Sequence, residues 1–184
     1  MKTVFFDVDT QLDFLFPAGA LYVPGAEAIA PALAALTSFA AANQIPIIST
    51  LDSHTEDDPE FQTWKPHCVI GTQGHQKYSA TVLGSSSKLQ TLVAKKTIDV
   101  FANEHLQRVV AGLPAERYVV YGLVTEYCVR TAVAGLLHRG ARVDVVTDAI
   151  RSLDAEAGQS TLQRFTEQGV KSITVGDVLA SKNE

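Results

Sequence analysis

Along the chain, short runs of apolar residues alternate with longer stretches whose apolar positions recur at helical spacing. Thr3–Val8 is the first run and reads as a buried strand. An Ala-rich stretch from Gly25 to Asn43, opened by Pro24-Gly25, predicts a helix. Ile47–Leu51, entered after Pro46, predicts a second strand and Leu92–Lys95 a third, with a helix over Asn103–Ala111. Tyr118–Leu123 reads as a strand, and Tyr127–Arg139 as a helix stopped by Gly140 in a left-handed C-terminal position. A strand at Arg142–Thr147, a helix at Leu153–Gln168 and a strand at Val170–Thr174 complete the pattern. Strands alternating with helices predict an α/β fold, three-layer α/β/α, around a mostly parallel, roughly six-stranded sheet. Residues 1–184 are expected to form one domain.

The segment Asp52–Ser87 breaks this rhythm. It carries Pro59, Pro66, Gly71, Gly74 and Gly84 with little periodicity, and is long for an idle connection. Such segments in small domains usually carry function. In open parallel sheets, ligands bind beyond the carboxyl ends of the strands, so reactive side chains just after strands are the ones to examine. Asp9, Asp52 with His54, Lys95 and the Thr125–Cys128 turn all stand there, with Asp148 as a further candidate.

Composition narrows the partners. Apolar residues make up 46% and charged residues 19%, and the net charge is -5, with no run of Lys and Arg, which argues against nucleic acid. No apolar stretch approaches the roughly 18 residues of a membrane span. The opening MKTVFFDVDT enters a strand without an export signal, so a cytoplasmic location is expected. A small molecule is the expected partner, and a homo-oligomer stays open. Cys68 and Cys128 make no disulfide framework and read as free thiols.

Each candidate has an ordinary alternative. Cys128, at a strand-to-helix junction, gains thiolate character from helix N–H groups that also suit an oxyanion, yet most free cysteines are small buried hydrophobes. Asp9 suits a general base, or an Asp closing a loop through its own backbone, and Asp13 lies close behind it. Asp7 sits inside the first strand, where a carboxylate faces a structural partner. Lys95 or Lys96 would favour a thiolate, or form a solvated pair; strand alternation lets only one enter the crevice. Asp52, His54, Glu60 and His67 suit Zn²⁺ or a similar divalent ion, although acidic neighbours Glu56, Asp57 and Asp58 dilute the signal. Trp64 suits stacking on a flat ligand, or the core.

Taken together and in order, these segments resemble the isochorismatase-like cysteine hydrolases, and within them the nicotinamidases. DTQLDF with PAGALYVPG, then DSH with WKPHCVIGTQG, KKTIDVF and GLVTEYCVRTA are similar to successive family motifs. The lysine motif selects Lys95 over Lys96, because Phe101 falls six residues on. The resemblance implies a triad of Asp9, Lys95 and Cys128. It implies an oxyanion hole of the Val124 and Cys128 N–H groups, with a cis peptide between Val124 and Thr125. It also implies metal ligands Asp52, His54, Glu60 and His67, with Asp57 or Asp58 able to replace Glu60, and a ring sandwich of Phe14 and Trp64. The metal would be zinc, with iron or manganese as alternatives. The implied reaction is hydrolysis of nicotinamide to nicotinate and ammonia, a step of NAD salvage. The alternatives are another small amide (a ureido or carbamoyl compound), or a binding protein without turnover. Asp7, where the family is usually apolar, and Leu12, in place of a common Asn, depart from the pattern.

Overall fold

In the computed structural model, residues 2–84, 87–113 and 115–181 are described; residues 85 and 86 of the irregular segment lie outside them. The strands are β1 (Thr3–Val8), β2 (Ile47–Asp52), β3 (Gln90–Lys95), β4 (Arg117–Leu123), β5 (Arg142–Arg151) and β6 (Lys171–Ile173). The helices are α1 (Leu12–Leu15), α2 (Ala30–Ala42), α3 (Glu104–Gly112), α4 (Arg130–His138), α5 (Ala155–Glu167) and α6 (Val175–Ala180).

Alternation along β1 sets the layers, since successive side chains point to opposite faces. Val4, Phe6 and Val8 join one core with Leu106 of α3, Leu136 of α4 and Phe165 of α5. Phe5 joins the other with Leu33 and Leu36 of α2 and Val178 of α6. The six strands are ordered β3-β2-β1-β4-β5-β6 and every pairing is parallel, so the expected sheet is found and is wholly parallel. The order reverses between β1 and β4, which opens a crevice at their carboxyl ends. Gly122 permits the close approach there: its φ is +115°, and a Cβ would strike the Val8 backbone. Among the described residues, no helix is long and apolar enough to cross a membrane.

Several boundaries move. The Gly25–Asn43 helix opens as a 3₁₀ turn at Ala26–Ile29 before α2, and α1 and α6 were not anticipated. The helix expected from Tyr127 begins as a π-helical turn, Thr125–Val129, and continues as α4. β5 runs past Thr147 to Arg151 through an irregular register against β4. This corrects the reading of Asp148 as a rim residue. It lies within β5, and its Oδ1 accepts from Val175 N at 2.8 Å, capping α6. Asp7 does face a structural partner. Lys77 Nζ sits 2.5 Å from Asp7 Oδ2, Ser49 Oγ donates to the same oxygen at 3.1 Å, and Thr10 Oγ1 donates to Oδ1 at 2.9 Å.

Candidate active site

Asp9 leaves β1 with φ +47°, a left-handed conformation that Asp tolerates better than most residues. Its backbone N–H donates to Thr50 O at 3.2 Å, which turns the carboxylate back into the crevice. Thr50 Oγ1 donates to Asp9 Oδ1 at 2.6 Å, and Lys95 Nζ lies 2.9 Å from Oδ2. Alternation along β3 buries Lys95, 2% exposed, and leaves Lys96 in solvent. Lys95 Nζ also donates to Asp52 Oδ1 at 2.8 Å, so one ammonium joins two carboxylates at neighbouring strand ends.

Asp52 continues the chain of contacts. Its Oδ2 lies 3.0 Å from His54 Nε2 and 3.1 Å from His67 Nε2. With Glu60 these residues offer ligand atoms that all lie within 4.8 Å of one another. His67 Nδ1 is 2.7 Å from Lys65 O, an acceptor only, so Nδ1 carries the proton. A bare Nε2 lone pair then points at a carboxylate oxygen, an arrangement that needs a cation, either a second proton on the ring or a metal ion. The far nitrogen of His54 is likewise oriented, 3.1 Å from Asp58 Oδ2. Two imidazoles and two carboxylates with outer oxygen partners therefore fit a divalent ion. Glu60 rather than Asp57 or Asp58 completes the cluster: Asp57 is exposed, and Asp58 serves His54 from behind.

The protonation pattern follows from burial and neighbours. Burial pushes the Asp9 carboxyl up despite Lys95. Burial also opposes the charge on Asp52, but Lys95, His54 and His67 hold its carboxyl well below the usual range. Burial lowers His54, yet Asp52 outweighs it and the imidazole is pushed up to about 9. Lys95 stays charged: burial lowers it, but Asp9 foremost raises it well above its ordinary value. Burial drives the Cys128 thiol well up, with Lys95 alone among its main neighbours pulling it down. The resting residue is a neutral thiol beside a proton acceptor.

Cys128, Asp9, Asp52, Glu60 and His67 line one pocket. Phe14 and Trp64 line it too. Phe14 stands against His67, with ring centroids 5.5 Å apart, and Trp64 meets Tyr127 edge-on at 5.3 Å. The cis peptide is Leu123–Val124, one residue earlier than expected, at the carboxyl end of β4. Val124 still flanks Cys128 in the pocket wall, and its carbonyl accepts from Tyr127 N and Val129 N at 3.1 Å each. Asp13 does not enter the pocket. Its carboxylate takes the N–H groups of Ala20 and Cys68, at 2.7 Å each, and orders the loop behind Phe14.

Other residues of the site were not among the sequence candidates. Gln11 brackets the Asp52 backbone: Nε2 donates to Asp52 O at 2.8 Å and Asp52 N donates to Oε1 at 2.7 Å. The same Nε2 donates to His75 O at 2.9 Å, which ties in the irregular segment. Tyr127, Ile98 and Leu153 complete the apolar walls. Only the D-x-Q spacing in the motif pointed to Gln11.

The model of the Isochorismatase domain matches residues 3–177. The chain is 24% identical to the nicotinamidase of Escherichia coli (strain K12) over 91% of both chains. It superposes on the pyrazinamidase/nicotinamidase of Streptococcus mutans UA159 with TM-score 0.86 and 27% identity, covering 93% of this chain and 99% of that one. The pyrazinamidase of Pyrococcus horikoshii in complex with zinc gives TM-score 0.86 and 26% identity, over 95% and 99%. With the family model spanning nearly the whole chain, the chain belongs to the isochorismatase family, as a nicotinamidase-like hydrolase acting on amide C–N bonds.

Proposed function

We propose that the chain hydrolyses nicotinamide to nicotinate and ammonia through a thioester on Cys128. The observation that carries this reading is the placement of Asp9, Cys128 and the Asp52–His67 cluster around one mostly apolar pocket with aromatic walls. Asp9, raised by burial, takes the Cys128 proton as sulfur attacks the amide carbon. Lys95 stays charged and offsets the thiolate. The N–H groups of Val124 and Cys128 receive the oxyanion. Asp9 then gives its proton to the leaving nitrogen, and ammonia departs. It next takes a proton from water, whose oxygen attacks the thioester carbon and releases nicotinate. The proton returns to sulfur.

Asp52, His54, Glu60 and His67 would hold a divalent ion, zinc first, which when bound supplies a Lewis-acid site for a ring nitrogen. Phe14 and Trp64 flank the ring and exclude water. The alternative substrates, ureido or carbamoyl amides, are favoured by a cationic side chain in the pocket wall when they bear a carboxylate. The described lining contains neither Arg nor Lys, which supports the neutral ring amide.

The test is ammonia release by purified protein from nicotinamide and from a panel of small amides, with bound metal measured alongside. Nicotinamide is expected to be turned over best and Cys128→Ala to abolish release. Chelation is expected to slow turnover and added zinc to restore it. Full release by Cys128→Ala would sink the reading.

A further inference from the structure

We infer that Glu126 is a positioning residue that fastens one wall of the substrate pocket to the turn bearing Cys128, and that this wall, Leu153, limits the size of the amide accepted. The inference rests on the amide-hydrolase reading above and extends it to substrate selection.

Glu126 lies in the Thr125–Val129 turn, two residues before Cys128, and is 8% exposed. Its side chain plays no part in that turn. Oε1 instead accepts from Leu153 N and Asp154 N, both at 2.8 Å, across 27 and 28 residues of sequence. Two N–H donors on one carboxylate oxygen make a strong, oriented clamp. The other oxygen, Oε2, is buried without a hydrogen-bond partner. A carboxylate half-satisfied in this way is costly in isolation, so the two bonds to the 153–154 backbone are the reason for its place. The backbone carbonyl of Glu126 is held as well, by Arg130 Nε at 2.9 Å.

On the far side of the clamp, Asp154 caps α5 by accepting from Ala157 N at 2.7 Å. Leu153, immediately before the cap, turns into the pocket that holds Cys128 and Asp9. The main chain at Ser152 and Leu153, between the end of β5 and the Asp154 cap of α5, has no strand or helix pairing of its own. Its distance from the nucleophile is therefore set by the Glu126 carboxylate. A rigid apolar wall at a fixed distance admits an unsubstituted flat amide and rejects a ring bearing an added methyl on that side. One methyl group in an apolar pocket is worth roughly 10–200-fold in discrimination.

The experiment compares Glu126→Ala, Glu126→Gln and Leu153→Ala with the unaltered protein. It measures KM and kcat for the amide the unaltered protein turns over best, and for its ring-methylated analogues. Glu126→Ala is expected to raise KM about tenfold or more, to leave kcat within a few fold, and to lower discrimination against methylated rings by about tenfold. Glu126→Gln, whose Oε1 accepts the same two N–H groups, is expected to restore the KM and the discrimination. Leu153→Ala is expected to lose discrimination as Glu126→Ala does, and the double variant to lose no more than either. If Glu126→Ala lowers the melting temperature but leaves discrimination intact, the inference is wrong. If it fails to fold, unchanged discrimination in Leu153→Ala is the overturning result. Absence of ammonia release from nicotinamide, with another amide cleaved, would overturn the substrate reading and leave the wall to be measured on that amide.

Discussion

Replacing Lys77 with Met removes the cation from a carboxylate that solvent does not reach. Asp7 is fully buried and Lys77 is 8% exposed, with Nζ held by Asp7 Oδ2 and Thr10 Oγ1. Breaking a buried pair by removing one partner costs about 3–5 kcal/mol, because the other charge stays in low dielectric. Asp7→Leu alone strands the ammonium and carries a similar cost. The double variant Asp7→Leu/Lys77→Met buries neither charge. Thr10 Oγ1 can then turn to Thr81 Oγ1, 3.3 Å away, whereas Ser49 loses its acceptor and keeps only the Gln90 amide as a donor. One stranded hydroxyl costs about 1–3 kcal/mol. The double variant is therefore expected to lose about 1–3 kcal/mol, against roughly 6–10 kcal/mol if the two changes were independent. Urea unfolding monitored by circular dichroism, with unchanged m-values, measures all three variants. Each single change is expected to lower Tm by roughly 6–20 °C for a chain of this size. Additive losses would refute the argument, as would a Lys77→Met variant as stable as the parent.

Three further outcomes are expected. Gln11→Ala removes both bonds to the Asp52 backbone and should cost about 1–3 kcal/mol; it should also lower zinc retained after dialysis, measured by elemental analysis. Lys95→Met should lower kcat/KM by on the order of 10²–10³-fold and slow alkylation of Cys128 by iodoacetamide, while Lys96→Met, altering an exposed side chain, changes neither rate. Burial holds the Tyr121 phenol well above its ordinary 10.0, so its contribution to stability is complete below about pH 10 and fades as pH rises beyond it. The urea midpoint should fall as pH rises above about 10, and Tyr121→Phe should flatten that fall.

Much of the crevice was legible because strand ends can be read locally. Asp9, Asp52 and Lys95 each follow an apolar run, and the sheet order brings those runs together at β1, β2 and β3. Strand alternation lets only one of Lys95 and Lys96 enter the crevice, the lysine motif of the resembled family selects Lys95, and Lys95 is the buried one. What escaped depends on distant partners. Nothing near Glu126 announces the backbone of Leu153, and nothing near Asp7 announces Lys77, which lies 70 residues away. Asp148 was misplaced for the opposite reason: Thr147-Asp148 is polar enough to read as a strand end, yet β5 continues through it to Ala149 and Ile150, both buried.

Asp52 touches Lys95 with one oxygen and both imidazoles with the other. Its single negative charge is thus shared between the cationic neighbour of the nucleophile and the nitrogen cluster. A ligand that draws on this carboxylate from the histidine side weakens its hold on the ammonium, and leaves that ammonium freer to serve Asp9 and Cys128. By linkage the effect runs equally in reverse: whatever changes the charge at sulfur changes affinity at the nitrogens by the same factor. Occupancy of one half of the crevice and the charge held in the other are, through this one residue, thermodynamically coupled.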